Sequence, residues 1–112
     1  MMRSGIYCIT DLANGKRYVG QSVHISERIK QHFRELKHGT HGNKEMQADY
    51  TRDWKSFKWE VLEICDVAHL GAQEKYWSEK LNCFDPKHGY NKQRVRVDQL
   101  YSDPKDHEGS DR

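Results

Sequence analysis

Apolar and polar positions change period several times along this chain, and each change predicts an element. Residues 4–10 and 16–22 are short runs rich in Ile, Tyr and Val, the texture of β-strands. Between them Asp11-Leu12-Ala13-Asn14-Gly15 carries an Asn-Gly pair that supplies the positive φ of a tight reversal. An antiparallel hairpin is therefore expected. From Ile25 the spacing turns helical, with Ile25, Ile29, Phe33 and Leu36 on one stripe, and Gly39 should end that helix. A second, shorter helix is expected from about Lys44 to Asp53, capped by Asn43, with Met46, Tyr50 and Trp54 aligned. Its charged termini place it on the surface.

Phe57, Trp59 and Val61 alternate with Lys58 and Glu60, the period of a third strand over Phe57–Ile64. A third helix is expected from about Ala68 to Asn82, its stripe formed by Leu70, Trp77 and Leu81. Asp85-Pro86 stops it, and His88-Gly89-Tyr90-Asn91 reads as a turn or short extended piece packing back. No internal repeat is visible.

These elements suit one small α/β (α+β) domain, because 112 residues supply one compact core of about 100 to 150 residues and not two. The expected division is a domain over residues 1–93 and a charged, flexible tail over 94–112, where aromatic content falls and Asp, Lys, Gly and Ser accumulate. The net charge of +2 is too mild to mark a nucleic-acid binder by composition. Its distribution changes that picture. Lys16, Arg17, Arg28, Lys30, Arg34, Lys37 and Lys44 face only Glu27 and Glu35 over the same stretch, whereas acids gather after Asp49. Such a basic face suits a phosphate backbone or is an ordinary solvated surface.

Cys8, Cys65 and Cys83 are unevenly spaced and lie in apolar segments, so buried free thiols in a reducing compartment are expected. No apolar run reaches membrane-span length, and the N-terminus leads directly into a strand-like segment. The expected location is cytoplasmic, in a bacterial or phage-infected cell.

Candidate chemistry begins with Glu74, placed between Leu70 and Trp77 on the apolar stripe of the third helix. A carboxylate facing a core is costly unless paired or metal-bound. A salt bridge to an arginine of another element satisfies it, and so does a hard cation. Arg28 and His32 stand one turn apart on the first helix, either as a polar border or jointly aimed at the sheet's edge. There an arginine can clamp a phosphate and a histidine can relay a proton. Tyr7 and Tyr18 occupy neighbouring strands near Gly5 and Gly20, glycines that permit close approach of another backbone or a ligand. Alone, the two tyrosines are an ordinary cross-strand aromatic pair.

Together, Gly5-Ile6-Tyr7 and Tyr18-Val19-Gly20 resemble the signature of the GIY-YIG nuclease family, with valine for the second isoleucine. The resemblance runs over residues 4–91 and continues through Arg28, His32, Glu74 and the late Gly89-Tyr90-Asn91. It is most similar to the catalytic domains of phage homing endonucleases, because the first-helix exit Gln31–His41, Asn43 and Met46-Gln47 matches theirs.

The resemblance implies a mixed sheet of three elements flanked by about three helices, and hydrolysis of DNA phosphodiester bonds with one Mg²⁺ or Mn²⁺ per site. Glu74 would hold the ion, Arg28 would stabilise the transition state, and Tyr7 would be the general base, acidified by Tyr18, His32 and the cation. Asn91 would hold the site's shape. Gly20, Lys16, His41 and Asn43 are expected near the substrate. The partner implied is DNA, together with either a homodimer or a second protein that supplies DNA targeting; no membrane is expected. A catalytically inactive interaction module that kept the fold is the competing class. A zinc domain built from the cysteines and histidines lacks any standard ligand spacing.

Overall fold

The computed structural model describes residues 3–92, so the expected tail at 94–112 lies outside the described residues. Strands β1 (Gly5–Asp11), β2 (Arg17–Ser22) and β3 (Phe57–Ile64) form one sheet in the order β2-β1-β3. Helices are α1 (Ile25–His38), α2 (Lys44–Arg52) and α3 (Leu70–Lys80), with short 3₁₀ turns at Trp54–Ser56 and Val67–His69. The third helix thus opens with a tight turn where sequence spacing predicts regular helix from Ala68.

Both strand pairs are antiparallel. The expected mixed sheet is corrected to an antiparallel one; the parallel element among the described residues is an isolated bridge from Arg17 to Gly89. In the hairpin turn Gly15 alone takes positive φ, at +78°. Asn14 instead keeps ordinary φ and reaches Asp49 Oδ2 through its amide at 3.1 Å.

Alternation along β1 splits the core across the sheet. Tyr7 and Ile9 join Tyr18, Ile25, Ile29, Leu36, Met46, Phe57 and Tyr90 on the α1–α2 side. Ile6 and Cys8 join Val19, Leu70 and Cys83 on the α3 side, with Trp77 and Leu81 packed against them. Asn43 caps α2 as its sequence predicts, accepting from Met46 N at 3.0 Å. That helix is surface-lying but anchored, since Met46 is fully buried.

Strand β3 departs from the pattern its alternation suggests. Phe57 is buried, yet Trp59 and Val61 are 48% and 43% exposed. They share a face with Tyr7 and Ile9, but β3 is an edge strand and the α1–α2 layer leaves them half uncovered. Cys8 and Cys83 are buried free thiols while Cys65 is only partly buried. Burial raises the Cys8 thiol and pushes Cys83 up to about 12, so both stay protonated at neutral pH.

A polar knot missed in the sequence ties the turn, α2 and the C-terminal segment together. The Tyr90 hydroxyl lies 2.7 Å from Asp49 Oδ2 and 3.0 Å from Asp11 Oδ2. Asp11 Oδ1 accepts from Ser56 Oγ at 2.6 Å. Burial alone would raise the Asp49 carboxyl, but hydrogen bonds from Tyr90 and Arg52 hold it below its usual range. Burial also lifts the Tyr90 phenol far above its ordinary value, which fixes it as a donor within this knot.

Candidate active site

The hairpin and α1 bring Tyr7, Tyr18 and His32 into one cluster. Ring centroids of Tyr7 and Tyr18 are 6.5 Å apart, and the His32 ring lies 5.4 Å from the first and 5.3 Å from the second. Two glycines make this packing possible. A Cβ on Gly20 would sit 2.4 Å from the Tyr7 hydroxyl oxygen, and one on Gly5 would sit 2.1 Å from the Glu63 carbonyl. Gly20, expected near the substrate, is thus the seat of the Tyr7 ring, and Gly5 admits the neighbouring strand. Gly20→Ala should displace Tyr7, destabilise the fold by about 1–3 kcal/mol and depress activity. Thermal melts paired with a cleavage assay check this, and an unchanged melt would show that the ring accommodates the methyl group.

Behind Tyr7 runs a chain of three hydrogen bonds. Tyr7 Oη lies 2.6 Å from His32 Nε2, and His32 Nδ1 lies 2.7 Å from His41 Nε2. His41 Nδ1 then accepts from the backbone N–H of Asn43 at 3.0 Å. That last bond sets the direction of the rest, because a backbone N–H can only donate. A neutral His41 must carry its proton on Nε2 and donate to His32 Nδ1, so a neutral His32 donates from Nε2 to Tyr7. The phenolic oxygen is therefore an acceptor toward the protein, and its own proton points away from the relay.

Burial, then the Arg28 charge, then His41 lower the His32 pKa to about 3. Burial also lowers His41, with Arg28 and Lys44 adding to the effect against Glu35. Both rings are neutral at physiological pH. A histidine depressed in the folded state contributes stability that is complete above its unfolded pKa near 6.5 and lost as pH falls toward about 3. Urea midpoints should thus fall across that window, and His32→Tyr should flatten the dependence. An equally steep profile in the variant would assign the acid sensitivity elsewhere.

Arg28 approaches from the same helix. Its Nη1 donates to Gln31 Oε1 at 2.8 Å, while Nε and Nη2 are buried without a hydrogen-bond partner. Gln31, one turn along α1, is a positioning group the sequence reading passed over; its i+3 spacing from Arg28 was the available signal. The Tyr7 phenol is held well above its ordinary value, first by burial, then by Tyr18; Arg28 opposes this and Glu74 adds to it. Tyr18 opposes ionisation of Tyr7 through its own charge, and so only as a phenolate.

Glu74 is half-buried on α3 and close enough for its charge to act on Tyr7. Sequence spacing predicts a carboxylate facing the core; because α3 packs chiefly along β2, the helix leaves this position at the margin of the buried stripe. Asn91 is hydrogen-bonded to β2. Its side chain donates to the Val19 carbonyl at 3.0 Å and accepts from Val19 N at 2.9 Å, closing the outer edge of β2 beside Gly20. Lys16 lies at the turn end of the hairpin, paired with Glu45, which also pairs with Lys92. Asn43 has both ends of its amide in use, on Met46 N and, at 2.6 Å, on the Tyr90 carbonyl. These two, like the buried His41, are placed as structural supports in this conformation.

A tyrosine on a directed histidine relay, a guanidinium with buried donors that make no hydrogen bond and a nearby carboxylate are thus gathered around the hairpin and α1. The chain belongs to the GIY-YIG catalytic domain family, whose model matches residues 3–91. It is 32% identical over 92 residues to the intron-associated endonuclease 1 of Enterobacteria phage T4, covering 80% of this chain and 37% of that protein. The chain therefore spans little more than a third of that relative's length. Among solved structures it is similar to the catalytic domain of the homing endonuclease I-TevI, with a TM-score of 0.74 and 29% identity over 82% of this chain and 100% of that one. A variant of the I-TevI catalytic domain gives a TM-score of 0.75 at 29% identity, over 85% and 98% of the two chains. Among the described residues, no helix is long and apolar enough to cross a membrane.

Proposed function

We propose that this chain is a DNA endonuclease that hydrolyses phosphodiester bonds with one divalent cation, Mg²⁺ or Mn²⁺, per active site. The observation that carries the reading is Arg28, whose buried Nε and Nη2 make no hydrogen bond although the side chain lies close enough to act on the Tyr7 phenol. Leaving two charged donors unsatisfied is costly, and a phosphate oxygen relieves that cost in the geometry a guanidinium prefers.

The donor set fits a hydrated hard cation. Among the described residues no group of three or more His, Cys, Asp or Glu gathers to hold an ion, which disfavours the zinc alternative. Mg²⁺ keeps several waters and binds through one or two carboxylates plus substrate phosphate, and Glu74 supplies one such carboxylate near Tyr7. When bound, the cation polarises the scissile phosphate, steadies the leaving 3′ oxygen and offsets the Glu74 charge that opposes ionisation of Tyr7.

The remaining steps belong to the chain. Arg28 neutralises the non-bridging oxygens as charge develops on phosphorus. Tyr7 takes the proton of the attacking water as a phenolate, which the His32 Nε2–H and the Arg28 charge favour. Asn91 keeps β2, and with it Gly20 and Tyr18, in register beneath Tyr7. Tyr7→Phe retains the packing ring and removes the oxygen, so cleavage should fall about a hundredfold or more with folding intact. A folded variant cutting at the normal rate would pass the role to another base.

The broader test is a time course on supercoiled plasmid with Mg²⁺ or Mn²⁺. One site cuts one strand per engagement, so nicked circles should precede linear product. Failure to cut duplex, nicked, branched and single-stranded DNA with either ion would leave the chain as an inactive interaction module of the same fold.

A further inference from the structure

The two edges of the sheet are finished differently. On β2, Arg17 N bonds to the His88 carbonyl, Tyr90 N bonds to the Arg17 carbonyl, and Asn91 takes both backbone groups of Val19. Because Val19 faces away from β1, its partner Cys8 directs its backbone groups toward Glu60 of β3. By alternation, Phe57, Trp59 and Val61 present their N–H and C=O groups to the outer edge of β3; the Phe57 N–H is taken by the Trp54 carbonyl, but among the described residues no backbone group answers those of Trp59 and Val61.

This open edge also carries apolar side chains. Trp59, Val61 and Ile64 are 48%, 43% and 46% exposed and, with Arg3, Ile25 and Ser26, line a shallow groove. A long apolar edge strand is a template for another strand unless blunted by charge, proline or a cover. The charges here do not blunt it against itself. Lys58 and Glu60 are both exposed and flank Trp59 symmetrically.

We propose that Phe57–Val61 of β3 pairs antiparallel with the same segment of a second copy of this chain, centred on Trp59. In that register Trp59 faces its own copy, Phe57 faces Val61, and Lys58 faces Glu60 on both sides of the two-fold axis. The charge pattern is self-complementary, as an isologous interface requires. The central Trp59 pair exchanges two hydrogen bonds and the Val61 N–H donates to the Phe57 carbonyl of the other copy, the Phe57 N–H staying on Trp54, while the Lys58–Glu60 pairs take the closer non-hydrogen-bonded positions. The bulge between the Tyr7 and Ile6 pairings ends the straight edge beyond Val61. The result is a continuous six-stranded sheet. Its two-fold axis is normal to the sheet, so both Tyr7 clusters stay on one face, with the two β1 strands that carry Tyr7 roughly 15 Å apart across three strand spacings.

Sedimentation equilibrium of the full chain over a wide concentration range tests this, with circular dichroism to monitor folding. Wild type should form a reversible dimer. Lys58→Glu places glutamates opposite each other and Glu60→Lys places lysines opposite each other, so each should weaken the dimer about tenfold. The double variant exchanges the partners and should recover most of that loss. Val61→Lys, at the exposed apolar rim, should give a folded monomer. A wild-type chain that stays monomeric at every concentration overturns the proposal, whatever else covers the edge. A dimer indifferent to both charge reversals and to Val61→Lys places its interface elsewhere and overturns it equally.

Discussion

Arg28→Ala should lower the rate of DNA cleavage by roughly a thousandfold or more, with DNA affinity reduced by less than about tenfold. The asymmetry follows from where the guanidinium lies. Its Nε and Nη2 are already desolvated and make no hydrogen bond, Gln31 holds Nη1 and Tyr7 lies beside the guanidinium, so the group is fixed before substrate arrives. A prepositioned cation acts most strongly where negative charge grows during the reaction, whereas ground-state binding is shared with the other basic residues of the surface. Arg28→Lys should recover little, since an ammonium cannot present two parallel donors. Single-turnover rates and separate equilibrium binding on one duplex decide the matter. Equal losses in rate and affinity would make Arg28 an ordinary phosphate contact.

Glu74→Ala should remove divalent-metal-dependent cleavage almost entirely, by about a thousandfold or more at saturating Mg²⁺. The fold should survive, because α3 is anchored by Leu70 and Ser78, both buried, and by Trp77 packed on the sheet. Glu74 itself is only half-buried. Its charge raises the Tyr7 pKa, so removing it should also ease ionisation of Tyr7, in the opposite direction to the loss of metal. Rates measured against Mg²⁺ and Mn²⁺ concentration, with urea unfolding as the control, separate these effects. Undiminished cleavage would take Glu74 out of the metal site, and a collapsed unfolding midpoint would assign it a structural role.

Much of this architecture was legible in the chain before folding was considered. Periodicity placed β1, β2, α1 and β3 within a residue or two of their observed ends, because one buried face forces apolar residues to recur at the element's own period. Asn43 and Gly39 marked helix ends for local reasons that tertiary context did not override. The site residues Tyr7, Tyr18, Arg28 and His32 were visible as a motif, and folding brings them together through the hairpin register and one turn of α1.

What the linear pattern could not contain was partnership. Alternation in β3 identified a face but not that the strand lies at the sheet's edge, so Trp59 and Val61 came out half-exposed. Lys16, Asn43 and His41 carry the right chemistry for substrate contact, yet Glu45, the Tyr90 carbonyl and His32 respectively occupy their polar atoms. The Asp11–Asp49–Tyr90 knot joins residues up to 79 positions apart, and nothing local announces it. Sequence by itself determined the elements, their order and the chemical inventory of the site, since these rest on spacing and side-chain type. Only the tertiary structure decided the direction of the Asn43–His41–His32–Tyr7 relay, the unanswered donors of Arg28 and the open edge of β3. Hydrogen-bond direction, desolvation and exposure are properties of an environment, and that environment is assembled from distant parts of the chain.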